Sequence, residues 1–350
     1  MPPYATTVAR DETDKEVILG LWRRNLDAVP EGKYAWLYES GQGESWVVRD
    51  GEEIVGSVGL MRREFWTPRG IVRGAQPIDL NVEARCRTGG AAISMQRSVN
   101  GLALEGDLDL LYSFPGRSSE CVLRRVGYEA VCPLDRWILP VRGEAVLSGK
   151  IRHPAARMLA GMLGDVYFRL RRAAGGLIAG SREQGPTGIS DVFDASFDRL
   201  WESARPRFDL LGRRDAAYLN WRFAQCPEAA HRVFFSRSED GSLCGYIVYC
   251  VEEGTIHIND FLAADGTAWA RLLGAFLHFA IEQEACDRVV AVFIGPDWIT
   301  SGFRRYGFLH RETDWRLYAF APCDFRRMDG LSVYDHRVWY LTRADLDTSF

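Results

Sequence analysis

The chain has 350 residues, 47% hydrophobic and 26% charged, which is long enough for two cores and ordinary for a globular protein. Its net charge of -4 supplies no basic field for a polyanion, which argues against nucleic-acid binding. The eight cysteines (Cys86, Cys121, Cys132, Cys226, Cys244, Cys250, Cys286 and Cys323) fall at no paired spacing, and Cys-x-x-Cys and His-x-x-x-His are absent, so no metal site is expected.

The opening MPPYATTVARDETDKE has no apolar signal core, and no later run reaches membrane-spanning length. A reducing cytoplasm is the expected location. Ser45 to Arg49 and Glu53 to Met61, joined through Asp50-Gly51, read as a β-hairpin. From Asp79 to Gln96, DLNVEARCRTGGAAISMQ, a short apolar strand runs into a Gly-rich turn that opens a helix over about 91–104. Such a turn aims unpaired N–H groups and the positive end of a helix dipole at one spot, a place for a phosphate or pyrophosphate. A strand over 108–113 and the segment FPGRSSECVLRRVGY, 114–128, follow.

Between about 143 and 184, apolar residues recur at helical spacing over 154–172 with an arginine-rich polar side. This helix is expected to pack its apolar stripe across the protein, with an anionic membrane surface as the alternative. Six glycines and prolines from Gly175 to Gly188 then mark a linker, and 191–203 resumes helical patterning. Strand-like runs at 232–237, 243–251 and 255–262, a long helix over 267–284, a strand at 288–294 and WITSGFRRYGF at 298–308 repeat the order of the first half.

The run from Val82 through Arg87, Gly90 and Ala92 resembles the acyl-CoA pyrophosphate loop of the GNAT N-acyltransferase superfamily, in which Arg or Gln is followed by Gly and then Gly or Ala at these intervals. The Gly127-Tyr128 and Gly307-Phe308 ends resemble that family's closing helix. Arg213 to Phe223, RRDAAYLNWRF, resembles the segment that opens the second half of bacterial tandem members. The resemblance implies an α/β (α+β) fold of two tandem GNAT-like domains, each a mixed, mostly antiparallel sheet flanked by helices. Residues 1–143 would be the acyl-CoA domain, 144–190 a connector and 191–350 a second domain with a degenerate loop, because LAADGTAWAR (262–271) lacks the basic residue.

The resemblance also implies site residues. Acetyl-CoA or a longer acyl-CoA would lie on Arg87, Thr88, Gly89, Gly90, Ala91 and Ala92, with Leu80 and Val82 offering backbone groups to its arm and Ser119 at a small position after the next strand. Many members carry a tyrosine acid four residues before the closing glycine; here Leu123 and Phe303 stand there, and neither donates a proton. Tyr112, at the end of the preceding strand, is the nearest replacement by position. Asp79 is the candidate base, facing away from Leu80, with Asn81 on its face as an orienting group; Gln76 stands nearer the place of the glutamate base of some members.

From the second half, His257 and Asp260 are candidate substrate contacts, although three residues along a regular strand would place them on opposite faces. Trp221 and Arg222 are expected either to pack into the second core or to stand at the mouth of an interdomain groove.

Two classes of function fit. One is an N-acyltransferase that acts on a primary amine of a small molecule such as an amino sugar, an amino acid or a natural-product amine, with acyl-CoA or an acyl carrier protein as donor. The other is a non-catalytic acyl-CoA-binding module. Monomer and homodimer are both compatible with the sequence.

Overall fold

The computed structural model describes residues 4–9, 12–25, 32–142, 185–284, 286–322 and 331–347. The helix expected over 154–172 and most of the linker after it lie outside those residues.

In the first half, β1 (Tyr4–Val8), β2 (Gly43–Asp50), β3 (Glu53–Thr67) and β4 (Gly70–Val82) form an antiparallel series, and β5 (Leu110–Ser113) joins β4 in parallel. Alternation along the strands decides what covers each face. Val47 and Ile54 pack on Ile18, Leu21 and Trp22 of α1 (Glu12–Asn25), whereas Val48 and Val55 pack on Met95 and Val99 of α2 (Ala91–Leu104). In α2, Ala91, Met95, Val99 and Ala103 are buried at four-residue spacing, the stripe that lays a helix on a sheet.

The expected repeat of elements is present. In the second half, β9 (Arg232–Arg237), β10 (Leu243–Glu252) and β11 (Thr255–Ala263) are antiparallel, α6 (Gly266–Gln283) follows, and β12 (Arg288–Ile294) pairs with β11 in parallel. The closing helices α3 (Arg117–Arg125) and α7 (Asp297–Arg305) end alike. Tyr128 N–H donates to Leu123 O and Gly127 N–H to Arg124 O; Phe308 N–H donates to Phe303 O and Gly307 N–H to Arg304 O. These are Schellman ends, and the left-handed φ of 97° and 89° at Gly127 and Gly307 explains why glycine stands before the aromatic residue.

The halves share their last strands. β6 (Glu129–Pro140) lies between β12 and β13, while β13 (Leu309–Phe320) lies between β6 and β5. A strand from each half is thereby a central strand of the other, and one sheet runs through both. β7 (Thr187–Ser190) pairs with β9 beyond them. The helices α4 (Ala195–Ala204) and α5 (Ala216–Leu219), the short β8 (Leu210–Gly212) and β14 (Trp339–Thr342) pack over the junction.

Candidate active site

The site starts from a defect in β4. Ser57 pairs with Asn81 and Gly59 with Ile78, so Asp79 and Leu80 together stand opposite Val58 in a β-bulge. Asp79 takes the left-handed φ of 51°, a conformation that aspartate tolerates better than most residues. Its carboxylate accepts 2.8 Å from Lys33 Nζ and 3.1 Å from the Tyr38 hydroxyl, and both side chains of the Lys33–Asp79 pair are largely buried. Burial works against the charge on Lys33, yet the charge and hydrogen bond of Asp79 leave its pKa raised. Burial and then the Asp79 charge push Tyr38 well up, so it stays a phenol.

A fourth member of this cluster was not expected. Asp347 has its pKa raised to about 6, first by burial and then by the neighbouring charge of Asp79, with Lys33 pulling the other way. Two carboxyl groups and one ammonium therefore share the space beside the bulge, and one carboxyl titrates near neutrality. Asn81 is on the same face, buried against Ser57, and its Nδ2 donates to no described residue. Gln76 Oε1 is likewise buried and without a partner among the described residues.

Beside the bulge the sheet opens. β4 and β5 pair as a ladder only at Gly74–Leu110 and Ala75–Leu111; beyond them the Ser113 hydroxyl donates to Pro77 O at 3.5 Å, and the ladder does not continue toward Leu80. At the far end of that stretch α2 begins on Gly90, whose φ of 89° suits glycine, and no side chain caps the helix. Its first-turn N–H groups at Ala91, Ala92 and Ile93 have no intrahelical acceptor. Nothing would lie within 4 Å of a Cβ at Gly90, so the approach to the turn is open, whereas a Cβ at Gly89 would meet the Tyr4 hydroxyl. Arg87 is beside the loop but folded back, donating to Val82 O at 3.1 Å and Asn25 Oδ1 at 2.8 Å. Ser119 Oγ donates to Gly116 O.

No family model and no curated protein matches this sequence. Solved structures do match in fold. A GCN5-related N-acetyltransferase from Anabaena variabilis superposes with a TM-score of 0.64 over 90% of this chain and 72% of its own, at 13% identity. A probable N-acyltransferase from Enterococcus faecalis gives 0.63 over 91% and 72%, at 11% identity. Saccharomyces cerevisiae N-myristoyltransferase with bound myristoyl-CoA gives 0.54 over 91% and 78%, at 12% identity. The chain has the GNAT fold.

Within this GNAT fold the second half treats the matching helix start differently. Asp265 caps α6, its Oδ1 accepting from Thr267 N–H at 2.8 Å and Ala268 N–H at 2.9 Å. A carboxylate of the protein's own occupies the position that α2 leaves open.

The remaining expected residues fall as follows. Tyr112 is fully buried among Phe65, Phe114 and Trp339; its hydroxyl has no partner among the described residues, and burial raises its pKa well up. Leu123 and Phe303 are core residues. Asp260 is fully buried, accepting from Arg214, Thr342 and Tyr246. The expectation that His257 and Asp260 lie on opposite faces is corrected by a second bulge: Tyr249 pairs with Ile258 but Val248 with Asp260, which leaves Asn259 as an extra residue. Both side chains turn toward the 342–346 segment, yet each has its own partners, His257 standing 3.8 Å from Glu252.

Trp221 packs against the first half as well as the second. It stacks on Trp36 at 5.0 Å, and each indole N–H donates to the other's backbone carbonyl. Arg222 donates to Ala344 O and Leu346 O, holding the segment that leads to Asp347. No single motif unites Lys33, Trp36, Tyr38 and Asp347 in the sequence.

Proposed function

We propose that this chain is an N-acyltransferase in which the first half binds acyl-CoA and a primary amine of a small molecule attacks it directly. The observation that carries the reading is the contrast between two helix starts: α2 opens uncapped beyond the point where the β4–β5 ladder ends, whereas the start of α6 is capped by Asp265. The pyrophosphate would lie on the N–H groups from Thr88 to Ala92, with Arg87 swinging out from Asn25 to meet it. The arm would run along β4 past Val82 and Leu80. Residues 1–143 are then the donor-binding domain, 144–190 the connector and 191–350 a partner domain that lost its own cofactor loop.

In the chemical step the amine nitrogen bonds to the thioester carbonyl carbon, and the oxygen becomes an oxyanion. One outward N–H of β4 directed at that oxygen supplies about 3 kcal/mol. Collapse breaks the C–S bond. The proton of the amine passes to the Asp79–Asp347 pair, directly or through water, while CoA leaves as a thiolate and is protonated by solvent. Asp347 suits the base role because a pKa of about 6 lets it ionise at neutral pH and still hold a proton briefly. Tyr112, walled in by aromatic rings, fits a packing role better than that of acid.

The second reading, acyl-CoA binding without turnover, is favoured by Leu123 and Phe303 lying in the core where a proton donor would stand. Thiol release from acetyl- and longer acyl-CoA, measured with a panel of amines, separates the two. Release that requires both donor and amine supports the enzyme. Tight CoA binding with no amine raising release above background supports the binding module.

A further inference from the structure

A second cavity lies away from Asp79. It encloses about 790 Å³ on the face of the shared sheet opposite α6 and α7. Strand alternation builds it: Thr255 and His257 of β11, Arg288, Val290 and Val292 of β12, and Arg136 and Ile138 of β6 project to this one face. Trp315, Leu134 and Leu346 add apolar wall, and Arg343 enters from the segment after β14.

Its charges are unevenly distributed. Glu252 and Glu253 stand at the β10–β11 turn, at the end where Arg288 donates to Thr255 Oγ1 at 2.8 Å. Arg136 stands toward the other end, on the residue paired with Val292, while Arg343 enters beside the Thr342–Phe293 pair and feels the Glu252 charge as well as those of the other cations. Arg343 is buried to 6% exposure yet lines the cavity. Burial first, then repulsion from Arg343, Arg288 and Arg136, brings His257 down to about 4, so the imidazole is neutral and able both to donate and to accept. Three guanidinium groups share this concave wall with the Glu252 and Glu253 carboxylates, so an anion entering the cavity would relieve the repulsion and desolvation that those carboxylates offset only in part.

We propose that this cavity binds a small organic anion with an apolar body, its carboxylate or phosphate held by Arg136 and Arg343 and its body against Val290, Val292 and Trp315. Resting on the acyl-transfer reading, the anion belongs to the acceptor amine: Leu346 lines the cavity, and the next residue, Asp347, is the carboxyl coupled to Asp79. An acceptor anchored at Arg343 would direct its nitrogen along that short segment to the proposed base.

The test uses the full chain titrated with 3-phenylpropanoate, phenethyl phosphate and the uncharged 3-phenylpropanamide, with acetyl-CoA titrated on the same samples. At least one anion should bind ten times or more tightly than the amide, and the stronger of the two names the headgroup. Arg136→Ala, a change at an exposed side chain, should remove that preference and leave CoA affinity unchanged. Equal binding of amide and anions, no binding of any probe, or full retention of the preference in Arg136→Ala overturns the proposal. Loss of CoA binding by the wild-type chain would instead strike the acyl-transfer reading and leave the cavity's preference to be judged by the probes.

Discussion

Asp79 shows how far a single residue's role can be read from its neighbours in sequence and where that reading stops. Its place on the strand before the Gly-rich turn was visible; the bulge that rotates it onto Lys33 and Tyr38, and the approach of Asp347 from the far end of the chain, were not, because both depend on contacts remote in sequence. The Asp347 shift has a direct consequence. A carboxyl whose folded-state pKa is raised favours the folded chain fully below the unfolded value near 4, and that contribution is lost as pH rises through about 6. Asp347→Asn should therefore melt at a higher temperature than wild type at pH 8 and at nearly the same temperature at pH 4. A variant less stable than wild type at pH 8 would contradict a strained carboxylate there. Turnover by the wild-type chain should rise with pH through about 6, as the base ionises.

Among elements, those with a local signal were legible. The hairpin at 45–61, α2 at the residues its apolar spacing predicts, and the two glycine-aromatic helix ends all rest on interactions within a few residues of chain. The bulges in β4 and β11 carry no such signal, and the second of them reversed the expected facing of His257 and Asp260. Asp260 belongs to a buried network in which Arg214 donates to it at 3.0 Å and to Asp345 at 2.5 Å, all three side chains being fully buried. The network ties β11 to the turn after β14, and thereby positions Arg343 and the approach to Asp347. Arg214→Leu leaves the buried Asp260 without a cation and Asp345 with Arg63 alone, a loss of about 3–5 kcal/mol. Urea denaturation monitored by tryptophan fluorescence measures it, and a loss below about 1 kcal/mol would show that the network contributes little.

For the whole molecule, the repeated order of strands and helices was legible and the exchange of β6 and β13 was not, since both strands have the same alternation whichever neighbour they choose. The exchange has a mechanical meaning. Without β13, β5 has an unpaired edge inside the first half, and without β6 the same is true of β12. The fragment 1–142 should therefore fail to fold alone, giving poor amide dispersion in NMR, and should recover when mixed with a fragment covering 185–350. A well-dispersed, cooperatively melting 1–142 fragment would show that the halves are independent after all.

The central claim is that the uncapped start of α2 is the donor site. Isothermal titration of the wild-type and Gly90→Glu proteins with acetyl-CoA, with folding of both checked by circular dichroism, tests it most directly. The wild type should bind about one equivalent and the variant should bind at least a hundredfold less tightly, because the glutamate puts a negative charge and a side chain at a left-handed position in the anion's place. A folded Gly90→Glu protein that binds acetyl-CoA as tightly as the wild type would contradict it.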